Sequence, residues 1–179
     1  MSIRVSVYIA ASLDGFIARE NGEIDWLPGI DRNPAGEDYG YAAFMDTVDA
    51  IVLGRRTYET VLSFGSWPYE KPVFVLSNSG IAFPDIAAGR AERVSGDPRD
   101  VLAEMSSRGF HHVYLDGGNA LQRFLAAGMV DTLILTRIPV LIGNGIPLFG
   151  ALSGDVRLEH VSTKEYADGL VQSEYRIPH

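Results

Sequence analysis

Short apolar runs alternate with segments of helical period along most of the chain. Runs of apolar and β-branched residues predict buried strands at 3–11, 50–53, 73–76, 113–115 and 132–138. Apolar residues that recur at i, i+3 and i+4 predict helices at 38–48, 55–62, 97–109 and 119–128. A short edge strand is predicted at 90–95, and a closing hairpin at 156–166 and 170–177 around Ala167-Asp168-Gly169.

This alternation of strands and helices predicts an α/β fold. Successive parallel strands need crossover connections, and the helices supply them, so most of the sheet is expected to be parallel. The closing hairpin would add an antiparallel edge. The sequence has no internal repeat and no linker-like stretch, so residues 1–179 are expected to form one domain.

Three small or polar corners come directly after predicted strands. Gly54 ends the second strand, Ser77 and Asn78 come after the third, and Gly117-Gly118 separates a strand from a helix. Ligands of open α/β sheets bind beyond the carboxyl ends of the strands, and helix N-termini there attract phosphate. A glycine pair before a helix is often only a tight turn. Three such corners on one edge favour a single cofactor site instead.

Arg55, Arg56 and Thr57 open the helix that comes after Gly54. Solvated surface arginines are the simpler interpretation of such a pair. At a helix start, however, the helix dipole disfavours cations, and a bound anion would offset that penalty. Arginine binds a phosphate monoester through two hydrogen bonds, and Ser77 and Asn78 could add neutral donors. The pattern therefore predicts a dinucleotide that carries an extra phosphate, NADPH in preference to NADH.

The composition narrows the class of partner. A formal net charge of −8 argues against nonspecific nucleic-acid binding, and no apolar run is long enough to cross a membrane. The chain has no cysteine and no secretory signal, which is compatible with the cytoplasm. His111-His112 lacks metal-ligand spacing, so no metal site is expected. Neither a G-x-G-x-x-G fingerprint nor a P-loop occurs, which disfavours a Rossmann dehydrogenase and a P-loop enzyme.

Four stretches together resemble the dihydrofolate reductase superfamily: 10–18, 54–58, 115–119 and 139–149. They are most similar to the branch that contains the C-terminal reductase domain of bifunctional riboflavin-biosynthesis proteins. This resemblance implies a three-layer α/β fold with a twisted, mostly parallel sheet of about eight strands. Helices would cover both faces, and a C-terminal antiparallel hairpin would close the sheet. It also implies an NADPH-dependent reductase that forms a homodimer.

The resemblance assigns cofactor roles by position. Ala10 and Ile17 would contact the nicotinamide half, and the loop 12–21 would be a mobile lid that excludes water during hydride transfer. The phosphates would be held by residues at the three corners: Gly54, Arg55, Arg56, Thr57, Ser77, Asn78, Gly117, Gly118 and Asn119. Among these, Ser77 and Asn78 would lie near the adenosine phosphate, and the last three would hold the pyrophosphate.

The substrate side is less defined. Trp26, Phe44, Arg137 and Leu141 are the candidate substrate-binding residues. Dihydrofolate reductases carry an acidic residue in or just before the first helix, and Asp31 is the candidate for that catalytic role. A plain loop position is the alternative for Asp31, and a surface position at a strand end is the alternative for Arg137.

The sequence thus predicts an NADPH-dependent reductase of a C=N or C=O bond in a small heterocycle or a ribose-linked aminopyrimidine. This activity would resemble that of 5-amino-6-(5-phosphoribosylamino)uracil reductase. Two alternatives stay open. One is a dihydrofolate or pteridine reductase. The other is an NADPH-binding module without turnover, which the lack of a clear substrate carboxylate favours slightly.

Overall fold

The protein is built on one eight-stranded sheet, seen in a computed structural model that describes residues 3–27 and 36–179. In chain order the elements of this sheet and its helices are β1 (Arg4–Ser12), α1 (Tyr41–Thr47), β3 (Ala50–Gly54), α2 (Arg55–Ser63), β4 (Val73–Leu76), β5 (Ala91–Val94), α3 (Pro98–Ser107), β6 (His112–Asp116), α4 (Gly118–Ala126), β7 (Thr132–Ile138), β9 (Glu159–Glu165) and β10 (Val171–Arg176). The remaining strands, β2 (Phe16–Ala18) and β8 (Ile146–Pro147), form a separate two-stranded ribbon. The strands of the large sheet lie in the order β5-β4-β3-β6-β1-β7-β10-β9.

The six strands from β5 to β7 are parallel, and β10 is antiparallel to both of its neighbours. The predicted α/β class, the strand number and the antiparallel C-terminal hairpin are therefore confirmed. The edge strand expected at 90–95 is β5. Asp97 caps α3 as the sequence indicates, because its carboxylate accepts hydrogen bonds from the amides of Arg99 and Asp100.

Helices cover both faces of the sheet. On one side, here called the α4 face, Val7 and Leu115 pack with Phe124 of α4 and Met105 of α3. On the other, the α1 face, the buried side chains include Tyr114 of β6 together with Phe44 of α1 and Tyr58 of α2. Side chains alternate between the two faces along each strand, so the odd-numbered and the even-numbered residues of one strand lie on opposite faces of the sheet.

The carboxyl ends of the central parallel strands meet at one edge. Gly54 of β3 is in register with Leu76 of β4, and Leu53 is in register with Asp116 of β6. Consequently the three corners at Gly54, Ser77 and Gly117 lie side by side, as expected from the strand assignment. Among the described residues, no helix is long and apolar enough to cross a membrane.

Two local expectations need correction. The loop expected at 12–21 is not wholly irregular, because β2 lies within it and pairs with β8. The first helix begins at Tyr41 and not near 38. Asp38 lies before it and accepts hydrogen bonds from the amides of Gly40 and Ala42, each at 2.9 Å. Gly40, with φ 85°, has a left-handed conformation that delays the helix start.

Candidate functional site

The two glycine corners touch each other. A Cβ atom added to Gly117 would lie 2.6 Å from Oγ1 of Thr57 and 3.3 Å from the amide nitrogen of Gly54. Gly117 also has φ 107°, which side chains with a Cβ rarely adopt. The structure therefore brings Gly54, Thr57 and Gly117 together, and only glycine fits at the centre.

Two helices begin at this contact. α2 starts at Arg55 directly after β3, and α4 starts at Gly118 directly after Gly117. Neither helix has a side-chain cap at its start, so the first backbone N–H groups of both helices can receive an anion. Asn119 is exposed on the first turn of α4. The arrangement fits a pyrophosphate held between two helix N-termini.

Arg55 extends toward the corner after β4. Its Nη1 donates to the hydroxyl of Ser79 at 2.7 Å, and its Nε pairs with Glu59 at 2.8 Å. The hydroxyl of Ser77, buried at this corner, donates to the carbonyl of Ser79. Arg93 of β5 donates to the carbonyl of Ser77 at 3.2 Å. Arg55 and Arg93 therefore both reach the Ser77–Ser79 corner, and guanidinium groups at such a corner suit a phosphate monoester.

Arg56 points elsewhere. It lines a cavity of about 480 Å³ between α2 and the segment Glu20–Gly22, with Ile146 of β8 on the same wall. Of the two arginines between which the sequence could not choose, the structure thus places Arg55 beside Ser77–Ser79 and Arg56 beside the predicted lid.

The predicted lid packs on the glycine corner. The side chain of Ile17 in β2 contacts Gly118 so closely that a Cβ there would clash with it. Asp14 joins the lid to the 139–149 segment, because its carboxylate accepts from the Ser12 hydroxyl and from the amide of Gly143 at 2.8 Å. These hydrogen bonds, led by that of Ser12, hold the pKa of Asp14 below its ordinary value.

Asp116, the last residue of β6, forms a second polar centre on the α1 face. Burial raises the pKa of its carboxyl from 3.8 to about 6, although the Gly117 amide and the Tyr114 hydroxyl partly offset this. The charge of Asp116 in turn contributes to the raised pKa values of Tyr41, Tyr69 and Tyr114, after burial as the main cause. We call Asp116 and these three tyrosines the Asp116 cluster.

The predicted nicotinamide and substrate residues are dispersed. Ala10 and Trp26 share an apolar cluster with Ile138 on the α1 face. The indole Nε1 of Trp26 is buried without a hydrogen-bond partner among the described residues. Phe44 is buried on the same face, with its ring 5.1 Å from those of Tyr8 and Tyr114.

The other candidates lie further out. Arg137 is in register with Ala11, a residue of the α4-face core, so its exposed side chain belongs to the face opposite Asp116. Leu141 is 69% exposed, in the segment that Asp14 ties to the lid. Asp31 lies outside the described residues. The substrate roles of these three residues stay predictions.

Sequence reasoning missed Asp116, Tyr69 and Arg93. The rule that pointed to Gly117-Gly118 applies equally to Asp116, which ends the same parallel strand and precedes the glycine pair. A carboxyl group directly after an apolar run was therefore a signal in the sequence that Asp116 lies at the same edge of the sheet. Tyr69 and Arg93 come from a connection and an edge strand, and no local pattern marks either of them. No cluster of metal-ligand residues occurs within 3–27 and 36–179.

Known proteins share this architecture. A family model described as the RibD C-terminal domain matches residues 4–172. The chain is 35% identical over 173 residues to the uncharacterized protein YwjB of Bacillus subtilis (strain 168), covering 95% of this chain and 96% of YwjB. A crystal structure from Shewanella sp. PV-4, assigned provisionally to riboflavin biosynthesis, matches with a TM-score of 0.91 and 38% identity, covering 99% of this chain and 100% of that one.

A more distant likeness concerns the fold alone. Dihydrofolate reductase of Enterococcus faecalis, solved with NADP(H), matches with a TM-score of 0.67 and 19% identity, covering 98% of this chain and 97% of that one. The resemblance drawn from the four sequence stretches is therefore confirmed, and the fold is dihydrofolate reductase-like.

Proposed function

The chain belongs to the RibD C-terminal domain family, and from this premise we propose that it is an NADPH-dependent reductase of a small nitrogen heterocycle. The family is one of NADPH-dependent pyrimidine reductases. The two candidate substrate types are a ribose-linked aminopyrimidine, as in 5-amino-6-(5-phosphoribosylamino)uracil reductase, and a dihydropteridine.

One observation carries the proposal: the two uncapped helix starts at Gly54 and Gly117 are in contact, and Arg55 reaches Ser79 beside them. We call these two helix starts, together with Arg55 and Arg93, the cradle. Its backbone N–H groups can bind a pyrophosphate, and its guanidinium groups can bind a further phosphate. NADH lacks the phosphate that Arg55 and Arg93 would bind. The cradle therefore fits NADPH, and its residues at the three corners would hold the cofactor.

The bound cofactor would supply a hydride to an electrophilic carbon of the substrate. Asp116 lies on the α1 face of β6, in register with Leu53 of that face, and β6 pairs with β1, the strand that carries Ala10. The nicotinamide is expected near Ala10. With a pKa of about 6, the carboxyl of Asp116 holds a proton closer to neutral pH than an ordinary aspartate does. Asp116 would donate that proton to the nitrogen or oxygen of the reduced bond, while the lid excludes water.

The test begins with the cofactor. Fluorescence titration should show that Arg55→Ala weakens NADPH binding by about tenfold to a hundredfold, the loss typical of a hydrogen bond to a charged group, with little change for NADH. Arg157→Ala, at an exposed position away from the cradle, is the matched control. Equal losses for NADPH and NADH would contradict the assignment of Arg55.

The substrate step is tested by measuring loss of nicotinamide absorbance with aminopyrimidine and dihydropteridine substrates. Tight NADPH binding without turnover of any of them would select the alternative, an NADPH-binding module. A buried carboxyl beside the cradle favours the reductase, because a module that only binds NADPH gains nothing from that costly group. We also propose a homodimer, supported by the family resemblance and tested by size-exclusion chromatography with light scattering.

A further inference from the structure

A cavity of about 350 Å³, here called the α1-face cavity, carries an inference that does not depend on the proposed function. Its floor is formed by residues of the five strands β6-β1-β7-β10-β9, and residues of α1 form one wall. Its size suits a small organic molecule. The lining shares no residue with the three corners that would hold NADPH, so a ligand bound here would leave the cradle free.

One part of the lining is a chain of hydrogen bonds whose direction is fixed. The carbonyl of Thr47 can only accept, so Nδ1 of His112 donates to it at 2.7 Å. In the neutral imidazole Nε2 then carries no hydrogen, and it accepts from the Ser6 hydroxyl at 2.8 Å. Burial, as the main cause, lowers the pKa of His112 and so favours this neutral form. The imidazole is therefore held in one tautomer at the edge of the cavity.

Arg4 and Thr132 place two further donors in the same lining. Thr132 is in register with Ser6 on the neighbouring strand, and Nη2 of Arg4 donates to its Oγ1 at 3.2 Å. Because that oxygen accepts from Arg4, the hydroxyl hydrogen of Thr132 can still donate to a ligand. The exposed guanidinium of Arg4 keeps further N–H groups. A carboxylate has the two planar oxygens that such a pair of donors binds.

The charges of the lining favour an anion with a single charge. The cavity is lined by two cationic side chains, Arg4 and Lys164, and by the carboxylate of Glu174. One positive charge is therefore in excess, which a monoanion would balance. Phe44 and Ile134 add apolar surface to the same lining. The ligand that fits these features is a carboxylate on an aromatic or aliphatic body.

We propose that the α1-face cavity is a second ligand site, which binds a small organic carboxylate with an apolar body. Arg4 pairs with the carboxylate, Thr132 donates to it, and the body packs against Phe44. The ligand and NADPH bind independently, because the residues that hold them belong to separate parts of the molecule.

Benzoate and benzamide are a matched pair of probes, because they have nearly the same shape and only benzoate is charged. Calorimetry with the protein alone and with NADP⁺ present should show benzoate binding at least about tenfold more tightly than benzamide, an effect typical of hydrogen bonds to a charged group. Equal affinities, or binding of neither compound, would overturn the proposal. Displacement of NADP⁺ by benzoate would overturn it as well, since it would place benzoate in the cradle.

Variants locate the bound carboxylate. Arg4→Gln and Thr132→Val should each weaken benzoate binding by about tenfold and leave the affinity for NADP⁺ and the thermal unfolding midpoint nearly unchanged. Arg157→Ala, at an exposed position outside the cavity, is the matched control and should bind benzoate like the wild type. Benzoate binding that survives Arg4→Gln would contradict the assignment.

The imidazole of His112 gives a readout in the wild-type protein. A bound carboxylate should raise the pKa of His112, because it adds a negative charge to the cavity that the ring lines. The charged side chains near the ring or in the same lining are Arg4, Asp49, Asp131, Lys164 and Glu174. NMR titration of the ring protons with benzoate, and with benzamide as the control, measures the shift. A pKa that benzoate leaves unchanged would overturn the proposed site.

Discussion

Replacing Asp116 by asparagine should stabilise the fold while it slows turnover. The pKa of Asp116 rises from 3.8 to about 6 because burial disfavours its charged form. One pKa unit corresponds to about 1.4 kcal/mol, so ionised Asp116 costs the folded state up to about 3 kcal/mol. Since the residue keeps some contact with solvent, we expect about 1.5 to 3 kcal/mol. Asparagine has nearly the same shape and no charge to bury.

The sign of the pH dependence is set by linkage. Below pH 3.8 Asp116 is protonated in both the folded and the unfolded state, so the variant and the wild type differ little electrostatically. As the pH rises from 3.8 to about 6, the unfolded chain releases this proton first, and the wild type loses stability relative to the variant. Above about pH 6 both states are ionised and the difference is constant.

Urea unfolding at pH 4 and pH 8, monitored by circular dichroism, measures this difference. The advantage of Asp116→Asn should grow by about 1 to 2.5 kcal/mol between the two pH values, because the unfolded chain is already partly ionised at pH 4. Asp155→Asn, at an exposed position, should show no such growth. An advantage that does not change with pH would refute the argument that burial of the charge causes the shift. In turnover, the wild-type rate should fall as the pH rises through about 6, and the variant should lack this dependence.

Two further changes test the cradle and the lid. Gly117→Ala should destabilise the fold by about 1 to 3 kcal/mol and weaken NADPH binding, because Gly117 has a positive φ and the new methyl group would clash with Thr57. Thermal unfolding and NADPH titration measure the two effects. Gly80→Ala adds a methyl group that faces open space, so this control should be neutral in both measurements. Asp14→Asn should speed hydrogen exchange of the Gly143 amide. In the wild type the same loosening should appear only as the pH falls through the lowered pKa of Asp14; unchanged exchange in the variant would show that Asp14 does not hold the lid.

The sequence by itself determined the architecture. Apolar runs bounded by glycine set the ends of the strands, and helical spacing set the helices after them, because burial on one face leaves a period that can be read locally. The corner at Gly117-Gly118 and the helix start at Asp97 could be read in this way. The four resembling stretches identified the family for the same reason, since each lies on an element boundary or a loop whose residue types are locally constrained.

The tertiary structure decided which side chains meet. Arg55 and Arg56 are neighbours in sequence, yet one reaches Ser79 and the other the lid cavity, since successive residues of a helix point about 100° apart. For Arg137 the sequence left open a substrate role or a surface position at a strand end, and register with Ala11 places this residue on the α4 face.

Asp116 shows the same division. Its place at the end of β6 was visible in the sequence, but its shifted pKa depends on burial among residues from β6, α1 and the connection before β4. The hydrophobic pattern of a segment reflects which of its own residues are buried from water, so it can be recognised in that segment alone. A shifted pKa or a phosphate pocket arises from distances between segments, and those distances exist only after the sheet has assembled.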